Sequence, residues 1–312
     1  MTPKKVKIAI CVSGQTRHLN KNPQYTEDFN NILALFDDYD YDLFGHTWSD
    51  QEDPHSELLK QFTEYRSDSQ DIIWNTIIDH KEFGNRYFPV WSQYFQTREE
   101  WFEKEEYIDI LKGKSDTNYI DFARERINGT VGQIWSAHES FLLTKNHFIS
   151  PPDHGWSPTT YVFVVKLRWD LMINLYNGRE YVQTRIDRLK EVIHNWSNDK
   201  MEYNPVSGKR LPSCLCADDC LLSYNSTPYA NDHMYIFDGE KFEKSDMLTH
   251  SPVTLLADLL LKMEGSFPTL PSAHTLWMDW ILSAGFEINA VLPNILQPNG
   301  PSGNKINKDW NI

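Results

Sequence analysis

Polar residues suited to ligand chemistry close three of the chain's apolar runs, and the carboxyl ends of strands are where open α/β sheets bind ligands. Ser13-Gly14-Gln15-Thr16-Arg17 follows the run Val6 to Val12. Gly14 permits close backbone approach there, and Arg17 brings a planar fork for phosphate or carboxylate. A turn with a surface arginine has the same composition. His46-Thr47-Trp48 follows the run Tyr41 to Gly45 and offers an imidazole, a hydroxyl and an aromatic plate, or simply packs. Arg168-Trp169-Asp170 closes Thr160 to Leu167, the most strand-like run in the chain. Burying that charged pair is costly unless the charges are partnered or face a ligand. A strand-end carboxylate can hold a divalent ion against a diphosphate, whereas an internal ion pair would use the same two residues for structure.

Asp232, just before the apolar run His233 to Phe237, is the candidate general base, and a turn-capping role is its alternative. His233 and His274 are secondary candidates as base or metal ligand, and each also suits simple packing. Asp218 and Asp219 lie where a loop over an acceptor or a solvated acidic turn would lie. Cys214, Cys216 and Cys220 have a spacing that fits none of the regular structural-zinc patterns.

The elements that must carry these residues follow from periodicity. Val6 to Val12 predicts a buried first strand, and Tyr25 to Phe36 a helix with Phe29, Ile32, Leu33 and Phe36 on one face. Tyr41 to Gly45 predicts a second strand, which makes a βαβ unit and a parallel sheet. Residues 54–113 are acidic and aromatic and show no clear element order. Residues 119–148 predict a helix broken near Asn128-Gly129 and stopped at Pro151-Pro152. Thr160 to Arg168 predicts a strand at the sheet centre, Glu180 to Trp196 an amphipathic helix, and Met201 to Tyr229 a loop-rich segment. A strand at 233–237, helices near 239–263 and 273–284 and a last strand at 286–292 complete the expectation.

The chain has 312 residues, 40% hydrophobic and 24% charged, with 30 Lys and Arg against 44 Asp and Glu, a net charge of −14. That composition is globular, and its acidity argues against a broad phosphate-binding surface for nucleic acid. No run reaches the length of a membrane span, and Val6 to Val12 is too short for a signal-peptide core. The expectation is a cytosolic chain with reduced thiols, in which the sequons at Asn128, Asn195 and Asn225 carry no glycan. The 11 Trp and 15 Tyr suit stacking on sugar C–H faces and equally suit a core. A Gly-x-Gly-x-x-Gly fingerprint does not follow the first strand, which sets a dinucleotide dehydrogenase aside.

Four segments in order resemble one family. Ser13-Gly14-Gln15-x-Arg17, Asp42-x-Phe44-x-His46-Thr47-Trp48, the long helix with Gln133 and Trp135, and Tyr161-x-x-x-Val165-x-Leu167-Arg168-x-Asp170 are similar to GT-A-like glycosyltransferases. Relatives of that group occur in bacterial surface-polysaccharide gene sets and in large tailed phages. Asn231 to Gly239 looks like the group's second acidic motif, and the helix with His274, Leu276 and Asp279 like its closing segment. The resemblance implies a single α/β domain over 1–312, with a mixed, mainly parallel sheet flanked by helices. Residues 1–175 would form a donor-binding half with a helical, aromatic insertion at about 54–148, and 176–312 an acceptor half. It implies a nucleotide-diphospho-sugar donor lined by Ser13, Gly14, Gln15, Arg17, His46, Thr47 and Arg168, and a hydroxyl acceptor, a glycan in the first instance. Asp170 would stand at the metal-binding carboxylate and hold Mg²⁺ or Mn²⁺, and Asp232 would serve as base. Arg168 stands where that family's motif has its first Asp, so the arginine itself is placed to neutralise a diphosphate. A glycosyltransferase acting on a hydroxylated base of phage DNA, or a non-catalytic carbohydrate-binding or assembly protein of the same fold, are the alternatives.

Overall fold

In the computed structural model, the described residues are 6–16, 19, 23–49, 56–73, 119–148, 161–173, 178–201, 213–217, 222–224, 227–229, 233–249, 273–292 and 295–298. Strand β1 (Lys7–Ser13) pairs in parallel with β2 (Asp40–Trp48) on one side and β4 (Phe163–Arg168) on the other. Both faces of β1 are covered, which explains its unbroken apolar run. Ile8, Ile10 and Val12 share one core with Phe163, Val165 and Leu167, while Ala9 and Cys11 share the opposite core with Val164.

Helix α1 (Pro23–Leu33) continues as a 3-10 turn over Ala34–Phe36 and buries Tyr25, Phe29, Ile32 and Leu33. It returns the chain to β2 and completes the expected βαβ unit. After the short α2 (Ser56–Leu59), β3 (Glu64–Asp68) adds in parallel to β2. This edge strand lies inside the segment with no legible order, because Glu-Tyr-Arg-Ser-Asp carries little β signal. Its pairing also extends β2 through His46, Thr47 and Trp48, which oppose Arg66, Ser67 and Asp68. These three residues therefore belong to the strand itself rather than to a loop after it.

Helix α3 (Tyr119–Thr144) packs on β1 and β2 and ends in a 3-10 turn at Lys145–His147. It runs without interruption through Asn128-Gly129, where the sequence predicts a break. A mid-helix glycine costs about 1 kcal/mol; Ile134, Trp135, Ala137 and Phe141, all buried further along the helix, outweigh it.

Beyond β4, the short β5 (Leu171–Ile173) pairs with β11 (Leu296–Pro298) in a separate antiparallel ribbon. Helix α4 (Arg179–Met201) lies on the face opposite α3 and stacks Trp196 on Phe163 at 4.7 Å between ring centroids. The segment read as loop-rich holds β6 (Cys214–Ala217) and the hairpin of β7 (Leu222–Tyr224) and β8 (Thr227–Tyr229). Then come β9 (Tyr235–Asp238), α5 (Gly239–Glu243) with a 3-10 turn at Asp246–Leu248, α6 (Ala273–Ser283) and β10 (Ile288–Leu292). The rest of the predicted 239–263 helix lies outside the described residues.

The main sheet has seven strands in the order β10-β6-β9-β4-β1-β2-β3. Strand β9 alone runs against its neighbours, being antiparallel to both β4 and β6. The result is a mixed α/β architecture, mainly parallel and covered by helices on both faces. From β1 the chain builds outward through β2 and β3, then returns to place β4 on β1's other side. The junction of β1 and β4 is thus the topological switch point, the position at which open α/β sheets bind ligands.

Candidate functional site

The switch point sets Ser13 opposite Arg168 in the register, with Gly14 following β1 and Asp170 following β4. Gly14 has φ of +105°, a left-handed conformation that favours glycine, and open space where a side chain would begin. Its backbone is held from both sides. The Gly14 N–H donates to Ser136 Oγ on α3 at 2.7 Å, and the Gly14 carbonyl accepts from Thr47 Oγ1 at 2.9 Å.

Behind this loop runs a buried relay. His46, fully buried, places Nδ1 2.8 Å from Ser136 Oγ and Nε2 3.2 Å from Asp68 Oδ2. The carboxylate can only accept, so Nε2 carries the proton and Nδ1 accepts from the serine hydroxyl. Ser136 then turns its oxygen to the Gly14 N–H, and the chain Asp68-His46-Ser136-Gly14 fixes the loop. Burial holds His46 below its ordinary 6.5, against the opposing pull of Asp68 and Glu139. A serine, a histidine and an aspartate in line resemble a hydrolytic triad, but Ser136 is fully buried and its oxygen is occupied by Gly14. No acyl carbon can reach it, and the relay is structural.

The relay is braced from the sheet edge. Arg66 donates from Nε to Asp68 Oδ2 at 2.9 Å and places its guanidinium 3.1 Å from Glu139 Oε2 on α3. Trp169 donates its indole N–H to the His46 carbonyl at 2.8 Å, which ties the turn after β4 to β2.

Arg168 and Asp170 form a two-pronged pair: Nε to Oδ1 at 2.8 Å and a terminal nitrogen to Oδ2 at 2.7 Å. Their side chains are 14% and 6% exposed. Each carboxylate oxygen accepts a hydrogen bond from the guanidinium, whose charge beside it would repel a divalent ion. Among the described residues no group of three His, Cys, Asp or Glu side chains stands ready for a metal. Held in this way, Asp170 does not fit a divalent ion. What the pair offers is a guanidinium fork fixed in direction, which suits phosphate or carboxylate oxygens.

The structure therefore brings Ser13, Gly14, His46, Thr47, Arg168 and Asp170 together around the β1/β4 junction. Ser13 is 1% exposed, and His46 and Thr47 hold the Gly14 loop from behind. Gln15 is half-buried beside that loop. Arg17, Asp218, Asp219, Cys220 and Asp232 lie outside the described residues. His233 sits just before β9, and His274 lies on α6. Cys214 and Cys216 are fully buried in β6, pointing into the core as apolar residues do, and burial pushes the Cys11 thiol up. Asp68, Arg66, Ser136 and Glu139 were missed by sequence reasoning, because their link to His46 exists only through the β2–β3 register and the seating of α3.

Comparison with protein-family models, curated proteins and solved structures finds no match to this chain. Among the described residues no helix is long and apolar enough to cross a membrane.

Proposed function

We propose that the chain is a nucleotide-sugar-dependent glycosyltransferase of GT-A-like architecture, acting on a hydroxyl acceptor carried by a glycan. The observation that carries the reading is the convergence of Gly14 and the Arg168-Asp170 pair at the β1/β4 switch point. A fixed loop and an oriented guanidinium at that junction suit a nucleoside diphosphate. A mixed, mainly parallel sheet is also what the resemblance of the motifs to GT-A-like transferases implies.

In this reading Arg168, held by Asp170, stabilises the charge that develops on the departing diphosphate. Asp232 takes the proton from the acceptor hydroxyl as its oxygen bonds to the sugar carbon and the carbon–diphosphate bond breaks with its electron pair. The net charge of −14 favours a glycan over DNA as acceptor.

The test is thermal unfolding with nucleoside diphosphates, run with and without Mn²⁺. A ligand at 100 times its dissociation constant stabilises the native state by about 2.7 kcal/mol, and one diphosphate is expected to raise the midpoint. No response to any of them overturns the reading. A response that needs Mn²⁺ would place the ion on residues other than the paired Asp170 carboxylate.

The closed Arg168-Asp170 pair specifically favours a second reading, a non-catalytic carbohydrate-binding or assembly protein with this fold. Diphosphate binding without transfer to any acceptor, in a glycan-array assay, would favour it.

A further inference from the structure

His46 meets both ends of the candidate site, one through its ring and the other through its backbone. On the ring side, Nδ1 lies 2.8 Å from Ser136 Oγ, which accepts the Gly14 N–H at 2.7 Å. On the backbone side, the His46 carbonyl accepts the Trp169 indole N–H at 2.8 Å, and Trp169 stands between Arg168 and Asp170 in the chain. The Trp169 ring is wedged against Phe29 and Phe62, with centroids at 5.6 and 5.2 Å, so that bond sets how the turn after β4 is seated. The Ser136 hydroxyl reaches both sides, because the His46 carbonyl is a second acceptor for it at 3.3 Å. His46 and Ser136 are fully buried and Trp169 is 1% exposed, so water does not compete for these bonds.

The network has two arrangements that differ by one proton. With His46 neutral, Nε2 donates to Asp68 and Nδ1 accepts from the Ser136 hydroxyl, which leaves the His46 carbonyl to Trp169. With a proton on Nδ1, that nitrogen donates to Ser136 Oγ alongside the Gly14 N–H, and both lone pairs of the oxygen are taken. The hydroxyl hydrogen then turns to the His46 carbonyl, where it competes with Trp169. The charged groups acting on the ring are Asp68 and Arg66 of β3 and Glu139 of α3. Burial outweighs the two carboxylates, so the neutral arrangement is the one present at neutral pH.

We propose that His46 and Ser136 are positioning residues that couple the Gly14 loop to the Arg168-Asp170 turn, so that a proton on His46 shifts both ends of the site together. Neither residue touches the ligand. The coupling follows from the hydrogen bonds alone; that a diphosphate feels it rests on the glycosyltransferase reading. In that reading the neutral arrangement binds better, because Trp169 then holds the turn beside Arg168 through an acceptor it does not share.

The full chain, labelled with ¹⁵N-glycine, ¹⁵N-tryptophan and ¹⁵N-histidine, is titrated from pH 8 downward while it stays folded. The Gly14 amide and Trp169 indole cross-peaks are expected to move with one midpoint, that of the His46 ring nitrogens. His46→Gln cannot take the proton and should hold both peaks still, and Ser136→Ala should flatten the Trp169 response. Peaks that stay fixed as His46 titrates, peaks with different midpoints, an undiminished Trp169 response in a folded Ser136→Ala chain, or a His46 ring that takes no proton before unfolding would each overturn the proposal. The wild-type titration decides even where a variant does not fold. Affinity for uridine or guanosine diphosphate, measured by calorimetry with and without Mn²⁺, is expected to fall about fivefold through that midpoint, the lower end of typical coupling between two sites, and to do so in the wild type but not in His46→Gln. Protonation of the diphosphate itself is common to both chains and cancels in that comparison. Diphosphate binding with the same pH dependence in both chains sinks the coupling and keeps the transferase reading. A shared Gly14 and Trp169 midpoint in a chain that binds no diphosphate keeps the coupling and sinks the transferase reading.

Discussion

Two short hydrogen bonds join Arg168 to Asp170 in a place where water reaches neither side chain freely. Removing one member takes from the other buried charge the two hydrogen bonds that offset its desolvation, so Asp170→Asn or Arg168→Met alone should lower the unfolding free energy by about 3 kcal/mol. Replacing both at once, as Arg168→Met with Asp170→Leu, should restore much of that loss, and a double-mutant cycle in urea measures the coupling. The same double variant separates structure from function, because a folded chain without the guanidinium should no longer respond to a nucleoside diphosphate. Retained response would move the phosphate contact away from Arg168. His46 makes a second prediction at this scale, one of sign. Its folded value lies below the ordinary 6.5, so the unfolded chain binds its proton first as pH falls. Above about 6.5 both states are neutral and the residue adds no pH dependence. Below that, stability declines until the folded-state value is passed, with Asp68 and Glu139 softening the decline and Arg66 steepening it. Stability curves from pH 8 to 5 check this, and His46→Gln should remove that part of the slope.

Elements with an unambiguous apolar signal were legible, and those defined by their neighbours were not. The first strand, the helix after it and the central strand follow from runs such as Val162 to Val165, whose burial on two faces leaves one solution. Strand β6 escaped because Cys214-Leu215-Cys216 reads as loop among prolines, yet both thiols sit in the core opposite Tyr235 and Phe237. The polar β3 escaped because an edge strand needs pairing more than propensity. The candidate site was legible as three strand ends, but the use of His46 as a buried relay needed the position of Ser136, far off in sequence. The turn from β9 into α5 yields a prediction at this level. Asp238 caps α5 by accepting from the Lys241 N–H at 2.8 Å, and Gly239 donates to the Val162 carbonyl at 2.9 Å. A Cβ on Gly239 would stand 1.9 Å from the Tyr161 carbonyl oxygen, which is backbone and cannot swing aside. Gly239→Ala should therefore cost about 2–3 kcal/mol by overpacking and by loosening that bond, read as a lower urea midpoint with an unchanged slope.

Across the whole molecule, one sheet draws strands from both halves of the chain. Strands β1 to β4 come from the first half, β6, β9 and β10 from the second, and the seam is the antiparallel pairing of β4 with β9. Cutting there would leave Phe163 to Lys166 as an open edge and uncover Val164, Val165 and the Trp196-stacked face of Phe163. An apolar, unpaired edge in the middle of a former sheet is a template for aggregation. Arg168 and Lys166 both lie on β4 at this seam, with Lys166 beside Tyr235 of β9. Residues 1–175 alone are therefore expected to be insoluble or molten, without diphosphate binding, and the full chain to unfold in one transition seen alike by near- and far-ultraviolet circular dichroism. A soluble 1–175 fragment with sharp thermal unfolding would show that the donor half stands alone. In that case the β4–β9 seam would be a docking interface between two domains.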